Sequence, residues 1–470
     1  MKKISLVLGL ALLSMHLVSA QQKPKYIFYM IGDGMGLNQV NLTEMYLAET
    51  EGRIGISPLV FSQFPVASFA TSYSSSNGVT DSGAGGTALA VGHKTKNGVI
   101  GMDSTRIKPL KSIAYIAKEK GMKVGITTSV SIDHATPAAF YANQPDRNMY
   151  YEIANDIVKS NFDFFGGAGF LKPEENHKKE KVASIIPVLQ KSGYTVAKGF
   201  DSYNQVKGKS SKIILTNNEQ GDAGSLKYAL DRKEGDLTLQ QITKAAIESL
   251  KKDNNNGFFL MVEGGKIDWA CHANDGATAV QEVLDFNQSV KEALAFYEQH
   301  PNETLIIVTA DHETGGMVLG IGSSKLSFKN LALQKTSQSE LSTKISALRT
   351  STPNASWEQV KQLLSDQLGL WSTAQVSKDD EKSLHETYLK SFVNHESEQS
   401  KSLYATDDKL ATLAVKALNK ASTLGWGSGN HSASYIPIFA IGAGSEKFTH
   451  KMENIDIPKK VAELLGGQLD

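Results

Sequence analysis

Thiol chemistry is all but missing from this sequence: its 470 residues include one cysteine, Cys271. No intramolecular disulfide can form, and no cysteine pair exists to build a thiolate zinc site. Neither sign of charge is in excess, with 49 Lys plus Arg against 49 Asp plus Glu, so no overall field recruits nucleic acid or an anionic membrane. The 12 Pro and 40 Gly are too few and too irregular for a fibrous or low-complexity chain. No internal repeat is present, and past the N-terminus no apolar run approaches the length of a membrane span. What remains, 40% hydrophobic and 21% charged residues, is the composition of an ordinary globular protein.

The N-terminus is read apart from the fold. Lys2 and Lys3 precede an apolar run from Ile4 to Val18, and Val18-Ser19-Ala20 has the small-x-small pattern of a cleavage site. Residues 1–20 are therefore expected to be a signal peptide, and 21–470 an exported chain, periplasmic or secreted. No cysteine stands at the cleavage site, so no lipid anchor is expected, and with no later apolar run of sufficient length no membrane anchor is expected. Without disulfides in an oxidising compartment, the core must hold the fold by itself.

Short apolar runs alternate with helical patterns. Strands are expected at 25–31 (KYIFYMI), 123–127 (KVGIT), 258–262 (FFLMV), 304–309 (TLIIVT) and 436–441 (IPIFAI), and helices at 111–118 and 238–250. This alternation implies an α/β fold, a three-layer sandwich whose central, mostly parallel sheet is flanked by helices. Residues 321–424 differ. They are polar, lack a long apolar strand, and carry helical patterns at 356–368, 377–393 and 406–420, the first with Ser356 and Gln359 at capping-box spacing. With Trp357 and Trp371 to pack around, this stretch reads as a helical subdomain inserted in the sheet domain.

The chemistry-bearing residues share a position. Asp33, Glu263, Asp311 and His312 each follow an apolar run, and the functional crevice of an open α/β sheet lies beyond the carboxyl ends of its strands. Such groups on one edge repel unless cations hold them. Any one alone would pass as a turn or cap residue. Asp268 and His272, four apart, share a helix face, and carboxylate plus imidazole suits zinc. Taken alone they are equally an ordinary i, i+4 ion pair. His431 lies in a Gly- and Ser-rich loop before the last strand. In 80–92 (TDSGAGGTALAVG), Ser82 opens a helix, whose free N–H groups and dipole suit a phosphoryl group. The alternative is a plain helix cap. The neighbouring glycines are expected to leave room for a substrate. No Ser-His-Asp arrangement is legible nearby, which favours activation of Ser82 by metal. Arg147, after 134–137 (HATP), offers a guanidinium clamp for phosphate.

Taken in order, 31–36 (IGDGMG), 79–88 (VTDSGAGGTA), 134–138 (HATPA) with Arg147, 262–272 (VEGGKIDWACH), 308–313 (VTADHE) and 429–431 (GNH) resemble the alkaline phosphatases, from Tyr26 to about Leu465. The resemblance implies hydrolysis of phosphate monoesters, with Ser82 as the nucleophile that becomes phosphoserine and Arg147 as the phosphate-binding group. It implies two zinc ions, one held by Asp268, His272 and His431, the other by Asp33, Asp311 and His312. It also implies one magnesium held by Asp33, Thr136 and Glu263. His134 and Trp269 would stand beside that third metal, where the best-known bacterial pattern has a carboxylate and a lysine; this pairing resembles a minority of bacterial and marine enzymes. Zinc is the alternative occupant if the imidazole coordinates directly. A homodimer, and a variable crown region matching 321–424, are implied in the same way.

Two rivals are weighed. A sulfatase needs Cys or Ser in a Cys/Ser-x-Pro-x-Arg context, which 82–86 (SGAGG) lacks, and diesterase relatives commonly use Thr and lack the guanidinium. A non-catalytic metal- or phosphate-binding protein on the same fold would be expected to have lost Ser82 or a ligand, and none is missing.

Overall fold

Ten strands assemble into one sheet in the computed structural model, which describes residues 23–218 and 222–469. The expected signal peptide lies outside the described residues. In chain order the strands are β1 (Tyr26–Gly32), β2 (Val66–Thr71), β3 (Lys123–Thr128), β4 (Phe164–Gly166), β5 (Thr195–Lys198), β6 (Ile213–Thr216), β7 (Phe258–Gly264), β8 (Thr304–Thr309), β9 (Ile436–Gly442) and β10 (Met452–Glu453). Across the sheet they run β10-β2-β9-β8-β1-β7-β3-β4-β6-β5. Every neighbouring pair is parallel except those of β9, which runs against both β2 and β8.

The expected α/β fold with a mostly parallel, helix-flanked sheet is the one observed. β1, β7 and β8 are buried along their whole length, which is why they read as unbroken apolar runs: a strand covered on both faces has no solvent side to alternate with. The long helix Gly276–Gln299 packs across all three, and Leu239–Lys251, capped by Thr238 and Gln241, covers β3, β4 and β7. Strands β2, β4, β5, β6 and β10 are not evident in the sequence pattern. Four of the five have four or fewer residues, and all five pair toward the sheet's ends, where short runs leave little periodicity to read. β7 extends two residues past its apolar run, so Glu263 lies within the strand rather than beyond it.

The polar stretch 321–424 folds around an apolar cluster of its own, including Leu341, Ile345, Val360, Leu364, Leu384 and Leu418. It has four helices where three were expected: Gln338–Ser351, Trp357–Leu368, Lys378–Tyr388 and Lys409–Ala421. The first escapes a reading by periodicity because Ser, Thr and Lys dilute its few apolar positions. Ser356 and Gln359 form the expected capping box, and Leu389–Val393 continues the third helix as a π-turn. Thr406–Asp408 is not helical; it pairs with Gln399–Lys401, and Asp408 caps the helix that starts at Lys409. Trp357 meets Trp371 edge to face at 6.0 Å.

Candidate active site

The central strands end together. Ile31 of β1 sits opposite Glu263 of β7 and Thr309 of β8, and Glu263 sits opposite Thr128 of β3. Their continuations therefore converge on one edge. Asp33 follows β1, Asp311 and His312 follow β8, and the segment after β3 brings in His134 and, in the short helix Ala135–Ala138, Thr136. The helix Lys266–His272 leaves β7 and sets Asp268 and His272 on one face. His431 arrives on a two-residue strand, His431–Ser432, paired with Glu313–Thr314. The buried helix Ser82–Val91 completes the site, its first turn capped by Asp81 through Ala84 N–H at 2.9 Å.

Three groups of ligating atoms result, each spanning no more than 4.8 Å: Asp268 with His272 and His431; Asp33 with Asp311 and His312; and Asp33 with His134 and Glu263. Nδ1 of His272 faces the carbonyl of Gly429 at 2.7 Å, and Nδ1 of His431 faces that of Thr80 at 2.8 Å. Each ring donates there, which leaves the two Nε2 lone pairs 3.0 Å apart and facing Asp268 Oδ1 at 3.3 and 3.5 Å. Nε2 of His312 lies 3.3 Å from Asp33 Oδ1, 3.4 Å from Asp311 Oδ2 and 3.2 Å from Ser82 Oγ. Thr136 Oγ1 lies 3.4 Å from Asp33 Oδ2 and 3.3 Å from Asp311 Oδ2. A ring nitrogen of His134 lies within 4.8 Å of carboxylate oxygens of Asp33 and Glu263, close enough for the imidazole to share a metal with them.

These residues fit metal ions. Asp33 Oδ1, Asp268 Oδ2, Glu263 Oε1 and both nitrogens of His134 are buried without a hydrogen-bond partner, and the carboxylate oxygens with the one imidazole lone pair form a set of orphaned acceptors that cations would satisfy together. Burial, then the charges of Asp311, Asp268 and Glu263, push the Asp33 carboxyl up. Glu263 is pushed to about 8, chiefly by burial, and Asp311 to about 7 by burial and by Asp268. Burial lowers His134 to about 3, and burial with the neighbouring His431 lowers His312. Asp268 is the exception: burial opposes its charge, but three imidazoles hold it below the usual carboxylate range.

Arg147 reaches the same edge. Its Nη1 donates to Asp81 Oδ2 at 2.9 Å and its Nη2 to Tyr404 at 3.3 Å, so two anchors fix the fork, one of them adjacent to Ser82 in the chain. Trp269 stacks on Tyr404, with ring centroids 4.5 Å apart. The glycines beside Ser82 do not open the site to substrate as expected. A Cβ at Gly85 would lie 3.0 Å from the carbonyl of Asp311, and one at Gly86 3.1 Å from Cα of Thr136. They let the helix press against the two loops that carry ligands.

Sequence reasoning misses Tyr404, Thr314 and the second role of Asp81. Thr314 Oγ1 bonds Asp268 Oδ1 and lies 3.2 Å from His312 Nδ1, linking two clusters. Its place two residues after His312 is a usable signal. Tyr404 comes from the polar stretch, where nothing in the sequence marks it.

On this fold, a site of this make-up belongs to the class of hydrolases that cleave phosphate esters. Similarity to known proteins narrows the class. The sequence profile of the alkaline phosphatase family matches residues 24–167 and 173–466, and the chain belongs to that family. It is a phosphoric monoester hydrolase. Alkaline phosphatase 3 of Bacillus subtilis (strain 168) is 31% identical over 454 residues, covering 95% of this chain and 90% of that protein. The cold-active alkaline phosphatase of a psychrophilic Shewanella superposes with a TM-score of 0.77 at 27% identity, covering 94% and 99% of the two chains. That of Thermus thermophilus gives 0.75 at 25% identity, covering 95% and 93%. A histidine-to-glutamate variant of the Antarctic TAB5 alkaline phosphatase, with magnesium bound, gives 0.64 at 25% identity, covering 95% and 99%.

Proposed function

We propose that the chain cleaves phosphate monoesters through a phosphoserine on Ser82. One zinc would be held by Asp268, His272 and His431, and another by Asp33, Asp311 and His312. One magnesium would be held by Asp33, Glu263 and Thr136 beside His134. The observation that carries this reading is Ser82 Oγ at 3.2 Å from His312 Nε2, whose ring stacks on His431 of the neighbouring cluster, with Ser82 next in the chain to the Asp81 that anchors Arg147. The TAB5 variant that holds magnesium has a glutamate in place of a histidine, which supports a metal ion at a third site but leaves its identity beside His134 to experiment. The position of His134, with a ring nitrogen within 4.8 Å of Asp33 and Glu263 oxygens, favours zinc there as the alternative.

Bound in these clusters, the cations would supply the positive charge that ionises the serine hydroxyl, neutralises phosphoryl oxygens and activates water. The protein supplies the rest. Arg147 receives the phosphoryl group on the N–H groups that Asp81 and Tyr404 leave free. The N-terminal amides of the helix Ser82–Val91 face the same charge. Ser82 Oγ forms the new bond to phosphorus as the ester oxygen leaves with its electron pair and takes a proton from water. Water then displaces Ser82 Oγ, which regains its proton, and inorganic phosphate departs. Gly85 and Gly86 keep the nucleophile's helix against Asp311 and Thr136, so the three centres hold one geometry.

Labelled phosphate trapped at mildly acid pH should remain on the denatured wild type and be absent from Ser82→Ala, with zinc content unchanged. Equal labelling of both proteins would move the nucleophile elsewhere. We also propose export by the 1–20 leader and a homodimer. N-terminal sequencing of the mature protein and light scattering would test these; a chain that keeps residues 1–20, or scatters as a monomer, would sink the respective point. Among the described residues no helix is long and apolar enough to cross a membrane.

A further inference from the structure

Behind the stacked Trp269 and Tyr404 lies a cavity of about 530 Å³ that both rings line. Tyr404 accepts from Arg147 and also lines the cavity, so the cavity adjoins the residue that anchors the guanidinium. Its wall carries six basic side chains against three carboxylates. Lys227 and Arg232 are tied to Asp236 and Asp285, and Lys344 donates to Gln367. Lys233, Lys266 and Lys335 have no ion pair among the described residues. Lys266 is the informative one. It is 4% exposed, its Nζ donates to Ser225 Oγ at 3.0 Å, and it stands 3.5 Å over the ring of Tyr228 and 4.8 Å from that of Trp269. The charges of Glu282, Asp231 and Asp222 reach it only from beyond ion-pair distance, so one hydroxyl and two π-faces are its close partners among the described residues, and Ser225, Tyr228 and Trp269 all line the cavity with it.

We infer that this cavity receives a second anionic group on the leaving side of the substrate, so that monoesters whose alcohol carries another phosphate bind best. The inference rests on the phosphomonoesterase reading above. A phosphoryl group on Arg147 would leave the alcohol at the Trp269–Tyr404 edge, and a second phosphate beyond it would meet Lys266 at the inner wall and Lys335 at the rim.

Calorimetry on metal-loaded Ser82→Ala, which binds substrate without turning it over, would compare fructose 1,6-bisphosphate with fructose 6-phosphate. Two phosphates favour the bisphosphate twofold by statistics alone; about tenfold is expected, the size of one charge-assisted contact. Adding Lys266→Met should return the ratio to about twofold, and Lys266→Arg should keep it. The exposed Lys335→Ser should lower it part-way, which keeps the test usable if the buried variant fails to fold. In the otherwise wild-type enzyme the same changes should raise KM for the bisphosphate relative to the monophosphate while the kcat ratio stays put. Sulfate should erode the bisphosphate preference if free anions share the cavity. A preference that sulfate leaves intact at high concentration would restrict the site to tethered phosphates, which equally supports it. A ratio near two in the parent, or variants that weaken both sugars in parallel, overturns the inference. Failure of the metal-loaded wild-type enzyme to hydrolyse fructose 6-phosphate at all would instead overturn the phosphomonoesterase reading.

Discussion

Asp81 and Tyr404 do for Arg147 what no sequence motif advertises: they immobilise a side chain that otherwise samples many rotamers, so its fork meets phosphate without paying that ordering entropy at binding. Arg147→Ala should weaken inhibition by inorganic phosphate by on the order of 1.5–3 kcal/mol, the size of a hydrogen bond to a charged group. Tyr404→Phe removes one neutral anchor and leaves the guanidinium in place, so the same inhibition should weaken by only about 0.5–1.5 kcal/mol. A Tyr404→Phe effect as large as that of Arg147→Ala would mean the tyrosine touches phosphate itself. His134 and Trp269 belong to this scale as well. His134→Asp should tighten magnesium binding after chelation, since an oxygen ligand replaces an unpartnered imidazole. Trp269→Lys should lower the inhibition constant for phosphate. Magnesium dependence unchanged in the first variant would place His134 outside the metal's reach.

At the scale of elements, the helix Ser82–Val91 is the piece whose position matters most, because all ten of its residues are buried. Its glycines, expected from the sequence to leave room for a substrate, serve close packing instead. Gly85→Ala would drive a methyl against the backbone of Asp311, where nothing flexible can yield. Overpacking of this kind costs about 1–3 kcal/mol, and here the strain falls on a residue proposed to hold zinc. The expected result is a lower Tm together with lower zinc occupancy, read by calorimetry and plasma emission. Full occupancy at unchanged Tm would show that the loop after β8 yields freely. Ser356→Ala, in the polar stretch, should cost about 1 kcal/mol through loss of its capping box, and should leave phosphate inhibition alone.

For the molecule as a whole, the central strands converge more negative charge than a metal-free protein can carry at high pH. Glu263 and Asp311 are raised to about 8 and 7 by burial and by neighbouring carboxylates, so in the metal-free protein they fold as neutral acids. A group whose folded pKa lies above its unfolded one contributes stability in full below the unfolded value and loses it as pH rises through the folded value. The chelated protein should therefore lose stability from about pH 4.5 to 8. Divalent cations should restore it, with the largest gain at the alkaline end. Thermal melts of chelated and metal-loaded protein across that range check this; parallel curves would mean the carboxylates ionise without help.

Much of this is legible in the order of the residues alone. Unbroken apolar runs announce buried parallel strands, because a strand covered on both faces has no polar side, and the ligands Asp33, Asp311 and His312 stand where such runs stop. Spacing puts Asp268 and His272 together because a helix brings residues four apart onto one face. What local sequence does not carry is distance between segments. Only the register of β8, β1, β7 and β3 brings Asp33 to both Asp311 and Glu263, and only the packing of residues 321–424 delivers Tyr404 to Arg147 and closes a basic cavity beside it. The chemistry of each ligand is a property of one residue, which the sequence states outright. The convergence that makes them a site depends on contacts between residues hundreds of positions apart, and these exist only once the sheet has formed.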